Sequence, residues 1–96
     1  MVLFVFARFH ARRGQESAVK TALEEVVPPS RQEEGCVSIN AFRSTRDPHL
    51  FYIHSRWVDE AAFELHAALP QTVSFVEKVG PLLDQPLEVT RAEKTC

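Results

Sequence analysis

The chain has 96 residues, of which 45% are hydrophobic and 25% charged, with a formal net charge of −2. That length supports one domain, and the composition is that of an ordinary globular protein. The near-neutral charge leaves no electrostatic footprint for nucleic acid, and no apolar run reaches the roughly 18–20 residues of a membrane span.

The opening "MVLFVFARFH" has no basic start or small-residue cleavage site, so it reads as a strand and not as a leader. Residues 2–10 are apolar on both alternating faces. Val2, Phe4 and Phe6 share one face; Leu3, Val5, Ala7 and Phe9 share the other. A strand with one face in water alternates more cleanly, so both faces are expected to be covered.

Gly14 opens a helical stretch in which Ala18, Val19, Ala22, Leu23, Val26 and Val27 form one stripe. Pro28-Pro29 are expected to kink or interrupt that helix, because neither can donate an i→i−4 bond. Glu34-Gly35 reads as its end. A second strand from Val37 to Arg43 leads to a turn at Asp47-Pro48, and a third from Leu50 to Trp57 completes a hairpin.

Asp59 suits the N-cap of the next helix, with Glu60 in its first turn. Ala62, Phe63, His66 and Leu69 share one face of it. Pro70 is placed to start another helical turn, in which Phe75, Val76, Val79 and Leu83 make an apolar stripe. Gly80-Pro81 loosens its end, and a last strand is expected over residues 87–92.

The order is β-α-β-β-α-β, in a single domain over residues 1–96. It predicts an α+β, ferredoxin-like split-βαβ fold: a four-stranded antiparallel sheet with helices on one face. The other face then presents large apolar side chains, a patch unusual on a monomer. A homodimer through the open sheet face is therefore expected, with Tyr52, His54 and Arg56 turned toward the second subunit.

The segments "EEGCVSINAFRS", "DPHLFYIHSRWVDEAAFELHAAL" and "FVEKVGPLLDQPLEV" resemble the antibiotic biosynthesis monooxygenase family, whose members are dimeric α/β barrels. The resemblance covers nearly the whole chain. It implies one of several activities: cofactor-independent oxygenation of quinol- or anthrone-like aromatics, haem degradation, or isomerisation of small sugar-like signals. Some members have no established activity. Ser55 stands where many members carry a Glu, and Pro70-Gln71-Thr72 stands where many have a "PHF"-like triplet. Ile53 and Phe63 occupy the positions at which polyketide-quinone oxygenases place an Asn and a Tyr.

Trp57 shares a strand face with Phe51, Ile53 and Ser55 by period-two alternation. It is either core packing between sheet and helix, or an indole whose N–H and flat face line a cavity for a planar ligand. His66 is either a satisfied buried histidine or a neutral imidazole that takes a proton from a phenolic hydroxyl near pH 7. The candidate site is thus His66 and Trp57 as catalytic residues, with Ser55, Phe63, Ile53 and Phe75 binding a small aromatic ligand.

His10, His49 and His54 offer no HxH or HExxH spacing, and the chain has no GxGxxG, P-loop or nucleophile elbow. No flavin, haem, metal or nucleotide cofactor is expected. Cys36 and Cys96 form no CxxC pair and read as free thiols of a cytoplasmic protein, Cys36 as a small buried hydrophobe. The functional expectation is a cofactor-free monooxygenase of a small aromatic quinol- or anthrone-like substrate. The alternatives are an isomerase or proton-transfer enzyme of the same fold, and a non-enzymatic ligand-binding stress protein.

Overall fold

Every second residue of the first strand, β1 (Leu3–His10), is buried: Leu3, Val5, Ala7 and Phe9 are each no more than 9% exposed. The pleat sends alternate side chains to opposite faces, and these four meet the helices. The computed structural model describes all 96 residues. After β1 come α1 (Glu16–Ser30), β2 (Cys36–Arg43), β3 (Leu50–Trp57), α2 (Glu60–Ala68), α3 (Pro70–Val79), a 3₁₀ turn (Gly80–Leu82) and β4 (Glu88–Ala92).

The sheet is antiparallel throughout, in the order β2-β3-β1-β4. This is the ferredoxin-like α+β arrangement expected from the element order. Register places Val5 opposite Ser55, and Ala7 opposite both Ile53 and Val89, so these residues form rows under the helices.

The helix α1 lays Val19, Ala22, Leu23 and Val27 on that face. It runs through Pro28-Pro29 and stops at Ser30, which corrects the expectation of an interruption there and an end at Glu34-Gly35. The prolines fall in its last turn, where the donors they lack would have paired with the carbonyls of the exposed residues Glu24 and Glu25. Ser30 Oγ donates to the Val26 carbonyl at 2.8 Å, which ties down the final turn. Gly35 instead opens β2. Its φ is +86°, and an added Cβ would lie 2.6 Å from the Ala62 Cβ, so both backbone and packing demand glycine.

Asp59 caps α2, its side chain accepting the Ala62 N–H at 2.9 Å. Pro70 occupies the first turn of α3, where a missing N–H is harmless, and α3 continues as a full helix rather than a single turn. Val79 and Leu83 are buried as the stripe predicts, but Val76 is 44% exposed. No helix is long and apolar enough to cross a membrane.

Two apolar clusters result. The larger joins β1, α1, β2, β3 and α3; the smaller is Leu3, Val5, Trp57 and Ala62. On the opposite face of the sheet, Phe6, Phe42 and Tyr52 stand 47%, 51% and 36% exposed, and the His54 ring rests 5.0 Å from that of Phe6.

Candidate functional site

Between the sheet and the α2–α3 pair lies a cavity of about 160 Å³, with twelve hydrophobic residues among the sixteen that line it. The strand β3 supplies Ile53 and Ser55, α2 supplies Phe63 and His66, and α3 supplies Thr72 and Phe75. The structure therefore gathers five of the six expected site residues, His66, Ser55, Phe63, Ile53 and Phe75, around one space.

Trp57 is the sixth, and it does not line that space. It is 0% exposed, set behind the wall at the end of β3 and paired in register with Leu3 and Cys36. Its setting is that of core packing between sheet and helix, the first of the two readings of this residue. Its ring centroid lies 4.5 Å from that of His66 and 5.9 Å from that of Phe63. Its Nε1–H donates to Ser55 Oγ at 3.0 Å. The indole thus backs three cavity residues, His66, Phe63 and Ser55.

His66 is held by a residue that the sequence did not single out. Its Nδ1 lies 2.7 Å from Glu33 Oε1, and Gln71 Nε2 donates to Glu33 Oε2 at 2.8 Å. The side chains of His66 and Glu33 are only 12% and 13% exposed. An ionised carboxylate only accepts hydrogen bonds, so Nδ1 is the donor in this pair, and a neutral imidazole held this way has its lone pair on Nε2. Glu33 follows α1 in an acidic "EE" pair that reads as a solvated helix end. The only hint of its role in the sequence is Gln71, a polar residue in the first turn of α3. The structure uses Gln71 to orient the carboxylate.

The other polar groups of the cavity are few. Ser30 Oγ is committed to the Val26 carbonyl, and Thr72 Oγ1 is buried without a partner. The Arg91 guanidinium lies 4.9 Å over the Phe63 ring, and the hydrogen bonds it donates to Glu64 and then to Glu60 help raise its pKa. Cys36 is half-buried, and desolvation, reinforced by the Glu33 charge, pushes its thiol pKa up. That environment opposes thiolate chemistry. No group of three or more His, Cys, Asp or Glu side chains is arranged to hold a metal ion.

The family model for antibiotic biosynthesis monooxygenase matches residues 2–78. The chain belongs to the antibiotic biosynthesis monooxygenase family. It is 31% identical over 86 residues to Rv0793 of Mycobacterium tuberculosis, covering 90% of this chain and 84% of that one. The solved structure of Rv0793 superposes with a TM-score of 0.94 at 27% identity, covering 100% of this chain and 97% of that chain. YcnE of Bacillus subtilis is 34% identical over 70 residues, or 73% of this chain and 74% of its own. Within this monooxygenase family, then, the present chain pairs its helix histidine with Glu33 and Gln71 and carries Ser55 beside the tryptophan.

Proposed function

We propose that this antibiotic biosynthesis monooxygenase family member is a cofactor-independent monooxygenase of a small, one-ring quinol. The observation that carries the reading is the Glu33–His66 pair in the wall of an otherwise apolar cavity. Cavity size favours one ring over a three-ring anthrone, since an apolar cavity of about 150 Å³ accommodates benzene. Phe63, Phe75 and Ile53 supply the ring's contacts, and Glu33 keeps His66 Nε2 as the proton acceptor.

On this reading His66 Nε2 takes one phenolic proton of a hydroquinone. The phenolate passes one electron to dioxygen, giving a semiquinone radical and superoxide, which recombine with formation of a ring C–O bond. His66 returns its proton to the peroxide. Cleavage of the O–O bond with loss of water leaves a hydroxyquinone. The balance is quinol plus O₂ to hydroxyquinone plus water: the ring is oxidised, and dioxygen supplies one atom to each product.

Oxygen uptake with a panel of hydroquinones tests this, each wild-type rate being compared with His66→Ala. Uptake that is absent, or equal in the two proteins, ends the proposal. Absent uptake with histidine-dependent deuterium exchange into a bound carbonyl compound would assign the same base to an isomerase.

Members of the family are generally dimeric. The exposed Phe6, Phe42 and Tyr52 on the open sheet face support a homodimer of this chain through that face.

A further inference from the structure

We infer that Ser55 is an obligatory hydrogen-bond donor toward the phenolic oxygen of the ligand, and that Trp57 is the positioning residue that makes it so. The inference rests on the proposed function only in taking a phenol as the ligand group. The indole N–H is a donor and has no acceptor capacity. Trp57 Nε1 lies 3.0 Å from Ser55 Oγ, so Ser55 must accept there. Its own hydroxyl proton then has to go elsewhere.

Within the protein it finds no acceptor: Ser55 enters no other side-chain hydrogen bond. The residue is 3% exposed and borders the cavity. A buried hydroxyl proton left unpaired is costly, and the cavity is where an acceptor can be supplied. His66 borders the same space, its ring 4.5 Å from that of the same indole, and with Nδ1–H directed at Glu33 the neutral ring has its lone pair on Nε2.

A phenolic oxygen seated between them accepts from Ser55 and donates to His66. Once His66 holds the proton, the Ser55 hydrogen bond remains and strengthens, because the acceptor is now an oxyanion. Of the other charged groups, Glu33 lies behind His66 and opposes the developing negative charge. Arg91 lies over Phe63 and favours it. Thr72 Oγ1 is a second unpartnered hydroxyl on the cavity wall, but only Ser55 is forced by the indole N–H to point its proton away from its protein partner.

The test uses 4-nitrophenol, whose phenolate is yellow and whose binding needs no oxygen. Titrating the bound dye with pH gives its phenolate-to-phenol ratio in each variant. Wild-type protein is expected to bind the phenolate at a pH below that at which the free dye ionises. Ser55→Ala should shift the bound ratio about ten- to a hundredfold toward the phenol, the usual effect of one hydrogen bond to a charged group. Toluene, with no polar group, should bind both proteins alike. Trp57→Phe keeps the ring packing but removes the N–H, and should shift the ratio in the same direction by less, since Ser55 is then free to turn.

A shift of less than about tenfold in Ser55→Ala overturns the inference. So does equal weakening of toluene and 4-nitrophenol, or failure of wild-type protein to bind the dye. Absence of quinol oxygenation would leave the dye shift in place. Absence of the shift would leave oxygen uptake as a separate measure of the Glu33–His66 pair.

Discussion

Nδ1 of His66 and Oε1 of Glu33 are 2.7 Å apart, joining the last turn of α2 to the loop that follows α1. The contact makes Nδ1 the donor of the pair, because a carboxylate accepts only from a protonated nitrogen. Removing the base should lower quinol-dependent oxygen uptake by about 10²–10⁴ in His66→Ala. Glu33→Gln should lower it by less, since an amide oxygen still accepts from Nδ1 but carries no charge to stabilise the imidazolium. His66→Leu should lose the activity while changing stability by no more than about 0.5–3 kcal/mol. Full activity in the Leu variant would make His66 a packing residue.

Trp57 leads to the opposite pattern. It is wholly buried against His66 and Phe63, so Trp57→Ala opens a void. The expected loss is about 3–5 kcal/mol, read as a lower urea midpoint. Trp57→Phe should lose much less. If the Ala variant is as stable as the wild type, the indole is not a wedge between strand and helix.

The two cysteines should react at different rates with iodoacetamide. Cys96 is exposed, whereas burial and then the Glu33 charge raise the pKa of Cys36. At mildly alkaline pH Cys96 should be modified first, with Cys36 following only as pH rises further. Mass spectrometry of a time course distinguishes the sites, and faster labelling of Cys36 would contradict this placement.

Asp47 gives a pH dependence whose sign can be worked out. The His49 backbone N–H, donating at 2.9 Å, lowers its pKa, and the charges of His10 and His49 add to the effect. A carboxyl with a depressed folded pKa contributes stability that is present above its unfolded value of about 3.9 and disappears as pH falls through the folded value. Because the group is exposed, the contribution is small. Asp47→Asn keeps an oxygen acceptor for the His49 N–H but cannot titrate. Its melting temperature should therefore fall less steeply than that of the wild type in the acid range. Parallel acid limbs would remove Asp47 from the account.

Phe6 tests the open sheet face. A homodimer burying about 1,600 Å² or more would cover Phe6, Phe42 and Tyr52. Sedimentation should give twice the mass of one subunit, and Phe6→Asp should reduce it to one, because the carboxylate would be trapped without a partner. A monomeric wild-type protein at micromolar concentration would refute the assembly.

Local chemistry accounts for what could be read in advance. Asp59 caps its helix and Pro70 starts the next because each role depends on one residue's own donors and acceptors. Strand alternation put Leu3, Val5, Ala7 and Phe9 inside, and the order of elements named the fold, because both follow from short-range periodicity and chain connection. The same alternation placed Ile53 and Ser55 on the cavity side of β3.

Only the tertiary structure decided which polar groups act on one another. Nothing near Glu33 in the chain distinguishes it from Glu34, yet packing of the segment after α1 against α2 and α3 places one beside His66 and Gln71 and leaves the other exposed. Alternation likewise put Trp57 on the inner face but could not say that it stands past the end of the cavity, which depends on how far along the strand the helices sit. The prolines of α1 obeyed the same distinction. Their missing donors were legible, but that the helix runs on to Ser30 on the exposed side of Glu24 and Glu25 was not. Periodicity determines the face a side chain takes; the partner it meets there is set by contacts between segments distant in the chain.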